Sequence, residues 1–282
     1  MNVSPKWLLP FVVLLTLLSA CRKESGSGTS PLSSEDEYLA AGELLNDKQK
    51  NLYILHLPEK EENRQIRKLN DERLRLAVLH APTSPSALST VVNSCDLIPR
   101  QEIRTVYDAL TPDMQKTELG KAIKAHTEKK TVLVGDPLPL FEGVDVDGKP
   151  FDWSVTEGKR VLLIYEGWGY LKRSTHFWFK DLLAATDRDD LAVVAYVYAG
   201  SLAELQKRVK AFQLEPYLVI SDLKGKEGPL DKKMGIRGIP TYYYTDRQGR
   251  VRRILSGYQE ELFTYYTGMS PKWGENWTEE ND

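Results

Sequence analysis

The chemistry this chain can offer rests on two cysteines, four histidines and one short run of hydroxyl residues. The histidines His56, His80, His126 and His176 have no metal-ligand spacing among themselves, so no metal or other cofactor is expected. Ser174 and Thr175 precede His176, but a serine becomes a nucleophile only beside a positioned base, and this histidine reads as a helix-surface residue. Cys95 follows Ala87-Leu88-Ser89-Thr90-Val91-Val92, which reads as a helix packing inward, so its thiol is expected to be a buried small hydrophobe rather than a reactive group. The stretch Leu163-Ile164-Tyr165-Glu166-Gly167-Trp168-Gly169-Tyr170-Leu171-Lys172-Arg173 contains no cysteine, although it is the aromatic, basic junction between an apolar strand and a helix. No catalytic residue is assigned on these patterns.

Cys21 stands differently. It follows Met-Asn-Val-Ser-Pro-Lys, then the apolar run Trp7 to Leu18, then Ser19-Ala20. A basic start, an apolar middle and small residues before a cleavage point make an export signal, and the apolar run falls short of the roughly 20 residues that span a bilayer. Leu18-Ser19-Ala20-Cys21 resembles the bacterial lipoprotein box, which implies an acylated Cys21 at the mature N-terminus. Residues 1–20 then form a signal peptide and residues 21–32, rich in Ser and Gly, a flexible tether. The expected partner of this end is a membrane, through the lipid at Cys21, and the expected location is extracytoplasmic, on the periplasmic face or at the outer membrane.

The 282 residues carry 41% hydrophobic and 28% charged side chains and a formal net charge of −2. That is a globular composition with no overall field to draw nucleic acid, and no nucleic-acid partner is expected. The dense basic run Arg247 to Arg253 fits the solvated face of a hairpin.

The elements that would position the loop at Trp168 come in two textures. Residues 33–130 read as helical: a capped start at Ser34-Glu35-Asp36-Glu37, an apolar pattern through Ile66, Leu69, Leu74, Leu76 and Leu79, a break at Ala81 to Ser86, then helices over Ser86–Asp96, Pro99–Leu110 and from Thr111 through Ile123. From Val134 strands and helices alternate, the signature of an α/β sheet with crossovers. Hairpins are expected over Val144–Phe151 and around Asp246–Gly249. Strands are expected at Arg160–Tyr165, Leu191–Tyr198, Tyr217–Ser221, Thr241–Thr245 and Val251–Leu255. Helices are expected over Thr175–Ala185, Leu202–Phe212 capped by Ser201, and Glu260–Tyr266. Residues 269–282 read as a polar tail.

Taken in order, Val134-Gly135-Asp136-Pro137-Leu138-Pro139-Leu140-Phe141, Asp147-Gly148-Lys149, Val161 to Tyr165 followed by Trp168, Gly235-Ile236-Arg237-Gly238-Ile239-Pro240-Thr241, and Asp246 to Val251 resemble the membrane-tethered, extracytoplasmic thioredoxin-like thiol-disulfide oxidoreductases, and the helices before them resemble a region preceding that domain in Bacteroidetes lipoproteins. The resemblance implies an α/β, thioredoxin-like fold over residues 134–268, preceded by an N-terminal helical region. It also implies a cis bond before Pro240, turned toward the active-site loop. The family places Trp-Cys-x-x-Cys after the strand, with the first thiolate stabilised at a helix N-terminus and the second resolving the mixed disulfide. Here the two alignments put Gly169 and Lys172, or Tyr170 and Arg173, at those positions, and neither supplies sulfur.

Three readings stay open. In the first, the chain is a lipid-anchored binding or accessory module without dithiol catalysis. Its recognition face comprises Trp168, Gly169, Tyr170, Lys172, Ile239, Pro240 and Thr241, with Trp168 and Tyr170 as the exposed pair, and it meets an envelope protein or peptide by strand-like pairing. In the second, it assists thiol-disulfide or peroxide chemistry through Cys95 or a partner's cysteines. In the third, it is a structural accessory of an envelope complex.

Overall fold

Proline and hydroxyl residues punctuate the first half of the chain. The computed structural model describes residues 33–169, 179–180, 183–184, 190–226 and 229–257. The expected signal peptide, tether with Cys21, Glu260–Tyr266 helix and tail, and most of the expected Thr175–Ala185 helix, lie outside these residues. The chain divides into two units, residues 1–33 and 34–282; helices and sheet both belong to the second.

The helices are α1 (Ser34–Ile54), α2 (Glu59–His80), α3 (Pro85–Asn93), α4 (Arg100–Ala109), α5 (Pro112–Lys116) and α6 (Glu118–Thr127). Pro85 and Pro112 occupy first-turn positions, where a missing N–H costs nothing, and the Ser84 and Thr111 hydroxyls accept from Ala87 N and Met114 N. The segment expected as one helix from Thr111 is two, because the Thr117 hydroxyl accepts from Gly120 N and starts α6 afresh. Ala77, Leu88, Val91, Ile103, Val106 and Ile123 form the core of this half. Tyr38 Oη donates to Thr90 Oγ1 at 2.9 Å, and Ser84 donates to the Glu35 carboxylate, tying α1 to α3.

The sheet comprises β1 (Arg160–Tyr165), β2 (Leu191–Tyr196), β3 (Leu218–Ile220), β4 (Thr241–Thr245) and β5 (Val251–Ser256), in the order β3-β2-β1-β4-β5. β1, β2 and β3 run parallel, while β4 is antiparallel to β1 and to β5. β1 and β2 are buried along their whole length, as continuous apolar runs require when both faces are covered. Leu162, Ile164, Val193 and Ala195 pack on one face with Leu205 and Val209 of α7 (Leu202–Phe212); Leu163, Tyr165, Val194 and Tyr196 pack on the other with Leu230 and Met234 of α8 (Pro229–Met234). The Ile239–Pro240 bond is cis. Parallel strands followed by an antiparallel hairpin, entered through this proline, make a thioredoxin-like fold with an N-terminal helical region.

Over Val144–Phe151 the expected hairpin is short: Phe151 N donates to Gly143 O and Asp145 N to Lys149 O, each at 2.9 Å, around the antiparallel bridge of Val144 to Pro150, and the Asp145 carboxylate holds Asp147 N and Lys149 N in the turn. β2 stops at Tyr196 rather than Tyr198, and the Tyr198 N–H goes to a side chain described below. The helix α8 lies in a stretch that reads as a loop.

Arg100 joins the two halves. Its Nε and Nη2 donate to the Asp136 carboxylate at 2.8–3.1 Å, Nη1 donates to the carbonyls of Thr127 and Lys129, and Nη2 also donates to Thr131 O. Asp136 in turn accepts from Leu133 N at 3.0 Å. The side chains are only 17% and 24% exposed, so removing the guanidinium strands a carboxylate and three carbonyls. Arg100→Ala is expected to cost about 3–5 kcal/mol in urea unfolding, whereas Asp113→Ala, in an exposed pair with Lys116, is expected to change stability by less than about 0.5 kcal/mol.

Candidate functional site

In a parallel sheet, binding groups gather beyond the carboxyl ends of the strands. β1 ends here in Glu166-Gly167-Trp168-Gly169, and four loops meet at this edge: residues 166–169, 197–201, 221–226 and 235–240. The decisive contact is backbone to backbone. Gly167 has φ +90°, and a Cβ built on it would lie 2.5 Å from Pro240 N and 2.7 Å from Pro240 Cα. Only glycine permits this approach.

Glu166 precedes it with φ 52°, an uncommon conformation for a residue with a side chain. Its carboxylate replaces the ladder that β2 abandons: Oε2 accepts from Tyr198 N at 2.7 Å and Oε1 from Arg208 Nη2 at 2.7 Å. The residue is 3% exposed. Burial pushes its pKa above the ordinary carboxylate value, opposed by the Tyr198 N–H and the Arg208 charge. Arg208 comes from α7, and its guanidinium lies 5.7 Å from the centre of the Phe212 ring.

Trp168 was expected to be exposed and is not. It is 1% exposed, donates through Nε1 to Tyr196 O at 3.2 Å and stacks on Tyr217 with ring centres 5.6 Å apart. Glu166 N donates to the same Tyr196 oxygen at 3.0 Å. The Gly167 approach folds the loop inward at this point, so the indole fills core space rather than the surface. Gly169 is exposed, with Phe212 3.6 Å from where its Cβ would stand. Tyr170 and Lys172 lie outside the described residues. Pro240 and Thr241 are buried, and the Thr241 hydroxyl donates to Gly238 O at 2.5 Å. Ile239 is half-buried, and among the described residues no hydrogen bond takes up its N–H or C=O. Of the five expected face residues that are described, the structure therefore brings Gly169 and Ile239 to the surface of one edge.

Beneath this edge lies a carboxylate–phenol layer. Asp231 of α8 accepts from Tyr165 Oη at 2.6 Å and Tyr198 Oη at 2.9 Å; Asp222 accepts from Tyr196 Oη at 3.0 Å. The Tyr165 and Tyr196 rings stack 4.3 Å apart. Burial, and then the nearby Asp231 and Asp222 carboxylates, push these three phenols well above their ordinary pKa, so they act as neutral donors. Glu166, Arg208, Asp231 and Tyr198 were not singled out in the sequence. The usable signal was the carboxylate placed directly after Arg160-Val161-Leu162-Leu163-Ile164-Tyr165, where only a paired charge can be buried.

Cys95 is elsewhere. It sits on a short turn after α3, packed in the helical core and 8% exposed. Burial, then the Asp96 charge, push its thiol up to about 11. Among the described residues no group of three or more His, Cys, Asp or Glu side chains could hold a metal ion, and no helix is long and apolar enough to cross a membrane.

No family model matches the chain, and no curated protein matches it. Solved structures do. A thioredoxin domain of a thiol-disulfide oxidoreductase from Bacteroides vulgatus is 17% identical, with a TM-score of 0.39 over 45% of this chain and 91% of that one. A thiol-disulfide oxidoreductase from Bacteroides fragilis is 14% identical, with a TM-score of 0.38 over 47% and 96%. The exposed lipoprotein thioredoxin of Streptococcus pneumoniae is 26% identical, with a TM-score of 0.34 over 44% and 96%. Likeness at this level carries neither activity nor location to this chain.

Two expectations test this geometry. At pH 8 a thiol of pKa about 11 is about 0.1% thiolate, so Cys95 should react with iodoacetamide orders of magnitude more slowly in the native protein than in urea. A raised carboxyl pKa means the folded state holds its proton to higher pH than the unfolded chain, so the Glu166 contribution falls as pH rises from about 4.3 through the folded value. Arg208→Ala removes the compensating cation and raises that value further. Its stability loss should therefore be larger at pH 7 than at pH 4.5, measured by urea unfolding at both.

Proposed function

We propose that this protein is a lipid-anchored, thioredoxin-fold binding module of the cell envelope that works without dithiol catalysis. The observation that carries the reading is the content of the β1 edge. Where a dithiol enzyme of this fold would need a thiolate, the described residues are a buried Glu166, a glycine packed on Pro240, an inward-turned Trp168 and an exposed Gly169. Neither alignment of the following residues supplies sulfur. Cys95 offers no substitute, since its buried thiol is protonated at neutral pH.

What the edge retains is capacity to pair. The Ile239 N–H and C=O, without partners among the described residues, can add an extended segment by backbone hydrogen bonds, which need no thiol. The anchor belongs to the same reading: Leu18-Ser19-Ala20-Cys21 after an apolar run would hold the module at a membrane by acyl chains on Cys21. The redox alternative requires a partner's cysteines, and no feature of the described edge favours it.

Purified protein should give no turnover in a dithiol-dependent insulin reduction, and turnover would overturn the reading. Gly169→Arg adds bulk at an exposed site whose nearest neighbour, the Phe212 ring, leaves room. It should leave the thermal melt unchanged while abolishing cross-linking of an extended peptide to the edge. Trp168→Ala is unsuitable as a probe, because emptying a buried indole site costs about 3–5 kcal/mol by itself. Cys21→Ala should abolish acyl labelling and release the protein from membranes; retention would remove the anchor.

A further inference from the structure

We infer that the segment bound at this edge is acidic: an extended peptide whose Asp or Glu side chains flank the stretch paired to Ile239. The inference rests on the binding reading and adds the chemistry of what is bound. Five cations stand on the loops and helix at the carboxyl edge, Lys224, Lys226, Lys232, Lys233 and Arg237, all exposed. None has an ion-pair partner among the described residues, although the other cations of this sheet domain that reach carboxylates do so readily: Arg160 and Arg247 share Asp190, Arg208 holds Glu166, and Arg253 reaches Asp71.

Three carboxylates described at the edge are committed inward. Asp231 accepts from two tyrosine hydroxyls, Asp222 from Tyr196, and Glu166 from Tyr198 N and Arg208. Their charge is spent below the surface, so the described outer residues here are basic.

Two of the five stand near the pairing site. Arg237 is two residues before Ile239, and its charge is felt at His126 on the helical side of the edge. Lys226 is close enough to act on the Glu166 carboxylate, next to Gly167 and hence to Pro240. An extended chain paired with Ile239 would pass close to both, and residues at alternate positions point to the same side. Exposed charges contribute mainly selectivity and association rate, with modest affinity for each pair. A basic patch also suits an anionic lipid surface. The unpaired backbone of Ile239 favours the peptide, because a headgroup cannot supply a strand.

The test uses the full chain in detergent and a fluorescein-labelled peptide, Gly-Glu-Val-Asp-Val-Glu-Gly, read by fluorescence anisotropy. Comparison peptides replace the three acids by their amides, replace them by Lys, or N-methylate the central Val-Asp-Val backbone. The acidic peptide should bind at least about tenfold more tightly than the amide form at low salt, the preference should shrink as salt rises, and Lys226→Glu with Arg237→Glu should remove it. N-methylation should abolish binding of both acidic and amide forms. Equal binding of acidic and amide peptides, with N-methylation still blocking both, overturns the acidic preference and leaves pairing at the edge standing. Binding of the acidic peptide that N-methylation does not affect, or no binding of any peptide, overturns pairing at Ile239 and this inference with it. Binding to phosphatidylglycerol vesicles by Cys21→Ala protein that the double variant abolishes, without a peptide preference, assigns the patch to lipid and overturns the inference.

Discussion

The approach of Gly167 to Pro240 is the constraint on which the rest of the edge depends. With a side chain 2.5 Å from a backbone nitrogen excluded, the loop after β1 must carry glycine and must turn sharply. That turn sets Glu166 into a left-handed conformation and swings Trp168 under the sheet. A left-handed glutamate and a buried carboxylate are each unfavourable alone, the first by about 1–3 kcal/mol. Both are over-determined here by the Tyr198 N–H, the Arg208 guanidinium and the doubly used Tyr196 carbonyl.

The second constraint acts at the opposite flank. The Arg100 guanidinium gathers the carbonyls of Thr127, Lys129 and Thr131 and the Asp136 carboxylate, so the link from helices to sheet is held by side-chain hydrogen bonds. Gly235 lies against Thr131, and Val132 N donates to Lys233 O, so the same link packs against the segment leading into Ile239. The helical half thus helps to fix the loop that presents the edge.

Most of the fold was legible in the sequence because its signals are local. Continuous apolar runs located β1 and β2, the Asp246–Gly249 turn located the β4–β5 hairpin, and hydroxyl residues before helices located their starts. What failed was decided by long-range partners. β2 ends early because a glutamate 32 residues away takes the Tyr198 N–H. The cis bond at Ile239-Pro240 was legible, and the exposure of Trp168 was misread. An aromatic after a strand looks the same in sequence whether it faces water or core, and only the close backbone contact across the sheet decides between them.

Glu166 carries the physical case for the proposed binding reading. A reactive thiolate needs donors and positive charge held available for it. Here two donors at the described edge, the Arg208 guanidinium and the Tyr198 N–H, are both occupied by a carboxylate the protein itself supplies. Placing a cysteine into Gly169 would therefore add a sulfur beside a network already neutralised from within. Among the described residues, the groups left unspent at the surface include the Ile239 backbone and the cations around it, which on the proposed reading would recognise shape and charge.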